Sequence, residues 1–211
     1  MSNNARLGIL VSGRGSNLQS IMAAINAGTL NAKLAVVISD NPKAPALEKA
    51  RAAGIPAVCI ARSEYKGRDA FEDALAQCLL QHEASLVVLA GFMRILSSHF
   101  ISGFRSRILN IHPALLPAFP GLHAQAQAID YGAKVSGCTV HFVDEGMDTG
   151  PIILQAVVPI EEEDTEESLA QRILVEEHRI YPQAIQLYLS GCLKLEGRKV
   201  KVVKERNEKQ Q

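Results

Sequence analysis

The sequence predicts an α/β protein with a Rossmann-like fold, in which a parallel sheet in the N-terminal half becomes mixed in the C-terminal half. Short apolar runs of strand length alternate with stretches whose apolar residues recur every three or four positions, as on a helix face. Parallel strands need connections that return over the sheet, and helices between them place cover on both faces. After residue 110, three prolines interrupt this alternation and the sheet is expected to change.

The individual elements follow from these patterns. Strands are predicted where apolar runs are rich in β-branched residues, at 7–11, 34–39, 86–90, 108–111, 135–143 and 152–160. Helices are predicted between the first four strands, at 17–27, 46–53 and 69–82. Gly28 and Gly54 stand where two of these helices would end.

The C-terminal part contains one long helix and a short tail. Asp164 and Glu167 have the spacing of a capping box, which predicts the start of a helix over about 165–189. The alternation that follows is typical of a hairpin, and residues 204–211 have the composition of a disordered end. We therefore expect a single domain over 1–190 and a hairpin or flexible tail over 191–211.

Composition limits the classes of function. The 22 lysines and arginines balance 22 aspartates and glutamates, so no net field would attract nucleic acid. The four cysteines form no CxxC pair, which favours reduced thiols over a zinc site or a disulfide framework. The apolar run near the N-terminus is too short for a signal peptide or a membrane span. We expect a cytoplasmic protein that binds neither nucleic acid nor membrane.

A glycine-containing turn, Ser12-Gly13-Arg14-Gly15-Ser16-Asn17, follows the first predicted strand and opens a helix. Glycines let the backbone approach an anion, and the helix start offers unpaired N–H groups, so a phosphate would suit this turn. The turn lacks the GK[ST] ending of a P-loop, and Leu18 stands where GxGxxG has its third glycine. A tight turn with Ser16 as the helix cap explains the same residues, and the turn alone does not decide between the two readings.

The segment Asn110-Ile111-His112-Pro113 ends a predicted strand. Alternation places Asn110 and His112 on one face of the strand, whereas Ile111 points into the core. Open α/β sheets bind their ligands at the carboxyl ends of strands, and Pro113 restricts the preceding histidine to an extended conformation. The pair therefore indicates a catalytic site rather than a structural histidine.

An acidic loop, Asp144-Glu145-Gly146-Met147-Asp148-Thr149-Gly150-Pro151, precedes the last apolar strand. Its Asp-Thr-Gly triplet occurs in aspartic proteases, but those proteins are almost wholly β, so the βα pattern excludes that class. Asp148 could bond to its own turn, as aspartate before glycine often does. Alternatively, Asp148 could meet His112 and orient the imidazole.

Four segments occur in a characteristic order along the chain, and three of them overlap the glycine turn, the Asn110–Pro113 motif and the Asp148–Pro151 motif described above. They are Gly13-Arg14-Gly15-Ser16-Asn17-Leu18-Gln19, Ala90-Gly91-Phe92-Met93-Arg94-Ile95-Leu96, Asn110-Ile111-His112-Pro113-Ala114-Leu115-Leu116-Pro117 and Asp148-Thr149-Gly150-Pro151-Ile152-Ile153. In this order they resemble the glycinamide ribonucleotide formyltransferases, within the folate-dependent formyltransferase family. The likeness covers about residues 7–189. The third and fourth segments alone would indicate only the wider group of formyltransferases and formyl hydrolases.

The resemblance implies site residues at matching positions. The catalytic residues would be Asn110, His112 and Asp148. The residues that bind glycinamide ribonucleotide would be Gly15, Ser16, Asn17, Leu174, Val175, Glu176 and Glu177. The folate pocket would be lined by Arg68, Met93, Arg94, Ile95, Leu96, Asn110, Asp144, Glu145, Gly146, Met147 and Asp148. The nucleotide-binding half would cover about 1–100, and the folate and catalytic half about 100–190.

The implied reaction transfers the formyl group of 10-formyltetrahydrofolate to the amine of glycinamide ribonucleotide through a tetrahedral intermediate. Asn110 and a protonated His112 would stabilise its oxygen, and Asp148 would keep His112 charged and relay the amine proton. The implied partners are these two small molecules, with the protein a monomer or homodimer. No metal is expected, because the histidines lack ligand spacing. His141, on a strand-like run, is expected to support the site from behind.

The chain departs from the family sequence pattern at two places, and two other functions are compatible with the same motifs. Ala114 replaces the serine usual in this family segment, and Ala124 and Gln125 stand where more polar or basic residues are expected, which leaves the role of the His123 loop open. A formyl-folate hydrolase would share the catalytic residues, but would usually carry a regulatory extension. A nucleotide or folate sensor on this fold would have little use for the three catalytic side chains together.

Overall fold

The computed structural model describes residues 5–203, in which seven strands form one mixed sheet between helices. The strands are β1 Ala5–Val11, β2 Ala32–Ser39, β3 Ala57–Cys59, β4 Leu86–Leu89, β5 Ile108–His112, β6 Val135–Phe142, β7 Ile152–Pro159, β8 Leu193–Glu196 and β9 Lys199–Val202. The helices are α1 Ser16–Asn26, α2 Pro45–Ala52, α3 Arg68–Gln81, α4 Ser98–Gly103, α5 Ala124–Tyr131 and α6 Glu166–Leu189.

The order of strands in the large sheet is β3-β2-β1-β4-β5-β6-β7, and β8 pairs with β9 in a separate hairpin. The pairs from β3 to β5 are parallel, whereas β5 pairs antiparallel with β6 and β6 pairs antiparallel with β7. The predicted change from a parallel to a mixed sheet is therefore confirmed. Strand order reverses between β1 and β4, the kind of point at which open sheets form a ligand crevice.

The sheet separates two layers of buried apolar side chains. In β1, Leu7, Ile9 and Val11 belong to the layer shared with α1, α2 and α6, whereas Leu10 belongs to the layer shared with α3 and α4. This alternation follows from the two-residue period of a strand, and both layers are apolar because helices cover both faces. Gly8 lies where α3 comes close: an added Cβ would be 2.3 Å from a methyl carbon of Leu79.

The predicted capping box at the start of α6 is wrong in its residues. The N-cap is Thr165, whose side chain accepts from the backbone N–H of Ser168, while the Ser168 hydroxyl bonds back to the Thr165 N–H. Asp164 instead accepts hydrogen bonds from Ser168 and from the Arg172 guanidinium. The three-residue spacing of the capping box was correct, but the box begins at Thr165 and not at Asp164. The Asp164 carboxylate is instead bound by Ser168 and Arg172.

Several short elements were missed by the periodicity. Strand β3 has three residues and α4 has six, too few for a repeat to be recognised, and α5, AQAQAIDY, lacks a row of large apolar residues that would mark a helix face. The predicted C-terminal hairpin is present as β8 and β9. The predicted disorder of 204–211 lies outside the described residues. Between residues 5 and 203, no helix combines the length and apolarity needed to cross a bilayer.

Helix α6 is fixed to the sheet by a buried tyrosine. The Tyr181 side chain is fully buried, and its hydroxyl lies 2.8 Å from the carbonyl oxygen of Leu89 and 3.0 Å from that of Leu109. The Leu89 carbonyl belongs to the last residue of β4, and the Leu109 carbonyl belongs to the second residue of β5. One hydroxyl therefore ties the longest helix to the two neighbouring strands that lead into the candidate site.

We expect Tyr181→Phe to lower the free energy of unfolding by about 1 to 3 kcal/mol, because it removes a buried donor from two carbonyl acceptors without opening a large cavity. Urea denaturation followed by circular dichroism measures this change. Tyr188→Phe is the matched control, because Tyr188 lies two turns further along α6 and is only partly buried. Equal stability of Tyr181→Phe and the wild type would show that the bond does not hold the helix.

Candidate active site

The candidate site lies where β1, β4 and β5 end at one edge of the sheet. The glycine turn follows β1, and the 93–96 segment follows β4. Asn110 and His112 are the third and fifth residues of the five-residue strand β5. Parallel strands place their carboxyl ends side by side, so three segments far apart in sequence meet here. The Met93 N–H donates to the Ser12 hydroxyl at 2.9 Å and ties the first two segments together.

The glycine turn is a tight helix entry without a side-chain cap. Gly15 is the N-cap residue, with a left-handed φ of 72°, and Ser16 is already helical. The interpretation of Ser16 as the cap is therefore wrong. Glycine is required twice over at position 15, because an added Cβ would also lie 2.7 Å from the Cβ of Ala46. With no side chain over the first turn of α1, its N–H groups are left to an external acceptor.

A buried pair joins α1 to α6 beside this turn. Asn17 Nδ2 donates to Glu177 Oε2 at 2.8 Å, and both residues are buried. Burial raises the pKa of Glu177 to about 6, although the bond from Asn17 opposes the rise. The Asn17 Oδ1 atom is buried and has no hydrogen-bond partner in the described part of the chain. A carboxylate and an unpartnered amide oxygen, both within α1 and α6, provide acceptors for hydroxyl groups.

The other α6 residues of the predicted nucleotide site lie on different faces of the helix. Glu176 accepts from Arg179 Nε at 2.9 Å, Leu174 is half-buried, and Val175 is largely exposed. Of the four consecutive residues, Glu177 is the one that makes a side-chain hydrogen bond to α1 within the described part of the chain. The contributions of Leu174, Val175 and Glu176 to a nucleotide site remain predictions.

The three predicted catalytic residues come together, with Asp148 next to His112. The His112 Nδ1 atom lies 3.4 Å from Asp148 Oδ2, and His112 Nε2 donates to the Phe119 carbonyl oxygen at 2.8 Å. Asp148 Oδ2 also accepts from the Gly121 N–H at 2.8 Å. His112 and its neighbour Asp148 are both largely buried side chains. The imidazole thus has an acceptor at each ring nitrogen, an arrangement that suits an imidazolium.

Asp148 does not bond to its own turn, so the alternative reading of this aspartate is wrong. Asp144 has that role: its Oδ1 accepts from the Gly146 N–H at 3.2 Å and from the Thr149 hydroxyl at 2.6 Å. Asp148 has a left-handed φ of 53°, which is uncommon outside glycine and aims its carboxylate away from the loop. Asp148 is thereby free to meet His112.

Asn110 is oriented by His141, which faces it across the β5–β6 pair. His141 Nδ1 donates to the Phe142 carbonyl oxygen at 2.7 Å, so its Nε2 accepts from Asn110 Nδ2 at 3.2 Å. Burial lowers the pKa of His141, which keeps this imidazole neutral. One amide N–H of Asn110 is used by His141 and the other is left for a ligand. His141 thus contacts a predicted catalytic residue from the neighbouring strand, and its role in supporting the site remains a prediction.

The predicted folate segment 93–96 is held by ion pairs on its flanks. Arg94 Nε lies 2.6 Å from Asp40 Oδ2, and Arg68 donates both to Glu72 Oε1 at 2.9 Å and to the Ile95 carbonyl oxygen at 2.7 Å. Both guanidinium groups are thus engaged within the protein. The side chains of Met93 and Ile95 are more than half exposed, so the segment presents apolar side chains to solvent.

Glu72 was not predicted, although it organises this segment. Its side chain is 2% exposed. It accepts from Arg68 and from both the N–H and the hydroxyl of Ser97. A buried acid at one position of α3 has no distinctive sequence signal. Leu96, the last residue of the predicted segment, is buried, unlike Met93 and Ile95. The other residues predicted for the pocket, 144–148, follow β6, and among them Met147 is half exposed, with its sulfur close to Gly121.

The two departures from the family pattern have structural explanations. Ala114 is fully buried, and its carbonyl oxygen accepts from the Thr139 hydroxyl at 2.7 Å, so a small apolar side chain fits. Ala124 is almost fully buried as the first residue of α5. His123 precedes it and lies 3.0 Å from Glu166 at the start of α6. Over residues 5–203, no group of three or more acidic, histidine or cysteine side chains is arranged to hold a metal.

Comparison with known proteins identifies the family of the chain. The family model described as formyl transferase matches residues 5–185. The chain belongs to the formyl transferase family. Among formyl transferases of known structure, glycinamide ribonucleotide transformylase 1 from Symbiobacterium toebii is 52% identical, with a TM-score of 0.93 over 95% of this chain and 94% of that one. A formyltetrahydrofolate deformylase from Pseudomonas syringae is 25% identical, with a TM-score of 0.89 over 96% of this chain and 67% of that one.

Curated relatives within the family fall into two sizes. Phosphoribosylglycinamide formyltransferase from Bacillus subtilis is 42% identical over 87% of this chain and 94% of that protein. The trifunctional purine biosynthetic protein adenosine-3 from Drosophila melanogaster is 46% identical over 88% of this chain. The chain spans only 14% of the length of that trifunctional relative.

Substitution of Glu177 should give a pH-dependent gain in stability. Because burial raises the Glu177 pKa to about 6 from an ordinary 4.5, the folded protein loses stability as pH rises between these values and bears the full penalty above pH 6. Glu177→Gln should therefore be more stable than the wild type at pH 7.5, by about 1 to 2 kcal/mol. At pH 4 the two should be equal.

Thermal unfolding at the two pH values measures this difference. Glu176→Gln is the matched control, because Glu176 precedes Glu177 on α6 but pairs with Arg179 at the surface. That variant should gain no stability at either pH. A pH-independent gain for Glu177→Gln would show that the carboxylate is not strained by burial.

Proposed function

We propose that the chain transfers the formyl group of 10-formyltetrahydrofolate to the amine of glycinamide ribonucleotide in purine biosynthesis. The observation that carries this proposal is the meeting of Asn110, His112 and Asp148 at the sheet edge where the Asn17–Glu177 pair also lies. Relatives named phosphoribosylglycinamide formyltransferase from Bacillus subtilis and Escherichia coli match over 94% and 88% of their lengths. The relatives' names thus describe proteins of similar size and fold.

The proposed nucleotide site lies between α1 and α6. The open first turn of α1, from Gly15 to Asn17, would receive the phosphate, because its N–H groups and positive dipole end attract anions. Glu177, together with the unpartnered oxygen of Asn17, would accept from the ribose hydroxyls. The division into halves at about residue 100 is also a proposal, and this site would draw on both halves.

The proposed folate site lies on the other side of the catalytic residues. Exposed apolar side chains from two loops, Met93 and Ile95 on one and Met147 on the other, suit an aromatic ring system. Arg68 lies at the rim of this surface, bonded to Ile95. The carboxylates of a folate tail would replace the Ile95 carbonyl oxygen as acceptors of the Arg68 guanidinium. The pocket would place the formyl group above Asn110.

The proposed chemistry follows from the groups at the strand end. The neutral amine attacks the formyl carbon, and negative charge develops on its oxygen in the tetrahedral intermediate. His141 holds the Asn110 amide through one of its N–H groups, and the other N–H would donate to that oxygen. In other enzymes one such donor contributes about 3 to 4 kcal/mol to stabilisation of the transition state. His112 would add a second donor by exchanging its bond to Phe119. Asp148 would balance the positive charge of the protonated His112. It would also pass the amine proton towards the departing folate nitrogen.

The proposed setting is the cytoplasm, with the protein a monomer or homodimer. All four cysteines are free thiols, in keeping with a reducing compartment. No nucleic acid partner is proposed, because the formal net charge is zero.

Incubation with formyl-folate, with and without glycinamide ribonucleotide, tests the proposed reaction. We expect tetrahydrofolate to form only when the amine substrate is present, because the site provides oxyanion donors next to a nucleotide pocket. Absorbance of the folate product gives the rate. Turnover without the amine would instead indicate a formyl-folate hydrolase, the activity named for the Pseudomonas syringae neighbour. Binding of both ligands without turnover would indicate a sensor.

Single substitutions of the catalytic residues should lower kcat by several powers of ten and change both Michaelis constants far less, because the charge they meet exists mainly in the transition state. The variants are Asn110→Ala, His112→Ala and Asp148→Ala, with folding checked by circular dichroism. The double variant of His112 and Asp148 should be scarcely worse than the worse single one, because Asp148 acts through His112. Additive losses, or normal turnover in Asp148→Ala, would contradict the mechanism.

A further inference from the structure

The loop that carries Asp148 depends on contacts outside itself. This aspartate loop, residues 144–150, joins the end of β6 to the start of β7. Its internal bonds come from Asp144 and hold Gly146 and Thr149, but none of them involves the carboxylate of Asp148. Asp148 is left-handed at φ 53°, a conformation that costs free energy in a residue with a side chain and persists only where the surroundings enforce it.

One such contact comes from the C-terminal hairpin, residues 193–202. Arg198 Nη2 donates to the carbonyl oxygen of Thr149 at 2.7 Å. Thr149 directly follows Asp148, and this carbonyl belongs to the peptide group between Thr149 and Gly150, one residue beyond the strained aspartate. A charged donor makes a shorter and stronger bond than a neutral one, and the guanidinium plane limits its direction. The bond joins residues 49 positions apart in the chain.

The hairpin is anchored, so its tip can act as a fixed support. Leu193 and Val200 pack against the main apolar core, and the Val203 N–H donates to the Cys192 carbonyl oxygen at 2.8 Å. Arg198 follows Gly197, whose left-handed φ of 59° makes the tight turn at the tip. A side chain at this turn is held at constant distance from the sheet, and hence from the aspartate loop.

The other cations of the hairpin make different contacts. Lys194 and Lys201 both pair with Glu196 within the hairpin itself. Only Arg198, among the hairpin cations with contacts in the described structure, extends to the loop. The family match ends at residue 185, before the hairpin begins, so this contact lies outside the matched region.

We propose that Arg198 is a positioning residue for the transfer reaction. It holds the Thr149 carbonyl so that the Asp148 carboxylate stays between His112 and the Gly121 N–H. The tip of the C-terminal hairpin then supports the aspartate loop through Arg198. This inference rests on the proposed function, since its effect is read through the role of Asp148. Arg198 is exposed, so the bond contributes locally and its loss leaves global stability nearly unchanged.

The test compares Arg198→Ala and Arg198→Lys with Lys201→Ala, a neighbouring hairpin cation that pairs with Glu196. Amide hydrogen exchange of residues 145–150 reports the loop without any substrate. Steady-state kinetics with formyl-folate and glycinamide ribonucleotide report the reaction. Arg198→Ala should speed exchange in this loop and lower kcat about tenfold or more, with the Michaelis constant for the nucleotide unchanged. Arg198→Lys should recover part of both, and Lys201→Ala should match the wild type.

A double variant connects the two readouts. If Arg198 acts through the aspartate, its substitution should cost little further in an Asp148→Asn background, because there is no longer a carboxylate to position. The inference is overturned if Arg198→Ala keeps kcat within about twofold of the wild type, if kcat falls without faster exchange in the loop, or if Lys201→Ala causes the same loss. A wild-type protein without amine-dependent turnover would overturn the proposed function itself, whereas an active wild type with a fully active Arg198→Ala would overturn only this inference.

Discussion

The parallel pairing of β1, β4 and β5 fixes the position of the candidate site, because it brings three strand ends to one edge of the sheet. The glycine turn, the 93–96 segment and the Asn110–His112 pair each continue one of these strands. Tyr181 joins α6 to two of these strands by bonding to the last carbonyl of β4 and to the Leu109 carbonyl in β5. A change that separated these strands would displace the proposed nucleotide, folate and catalytic groups together.

Buried carboxylates hold the loops that leave this edge. Asp40 binds the Arg94 guanidinium, Glu72 binds Arg68 and Ser97, and Glu177 accepts from Asn17. Burial of an acid is unfavourable unless hydrogen bonds compensate it, and each of these acids has such a partner. Asp40 and Glu72 thus place strong acceptors behind the 93–96 segment, whose exposed side chains are apolar. This arrangement also explains why the two arginines of the predicted folate pocket are engaged with the protein itself.

Close backbone approach is the other condition for the site. An added Cβ at Gly150 would be 1.7 Å from the carbonyl oxygen of Phe142, and at Gly146 it would be 2.0 Å from the Thr149 hydroxyl. Gly150 thus allows the aspartate loop to lie against the end of β6, and Gly146 leaves room for the Thr149 side chain within the loop. This packing brings Asp148 to the face of β5 that carries His112. Arg198 reaches the same loop from the opposite end of the chain.

The sequence by itself determined the α/β class, the mixed second half of the sheet and the segments that form the site. Periodicity carries that information, because a strand face repeats every two residues and a helix face about every 3.6. It also placed Asn110 and His112 on one strand face. Strand β3, with three residues, holds too few repeats to be recognised in this way, and α5 lacks a row of large apolar residues on one face. The start of α6 was misplaced by one residue because two overlapping caps were possible.

Only the tertiary structure decided which groups meet. The bonds from Asp148 to the Gly121 N–H and from His112 to the Phe119 carbonyl use backbone atoms, which every residue type carries, so no residue pattern marks them. The bonds between Asn110 and His141 and between Arg198 and Thr149 depend on register and on how the hairpin packs against the sheet. These two contacts join residues that are 31 and 49 positions apart in the chain. The spatial distance between such residues is set by the fold as a whole and not by local conformational preference.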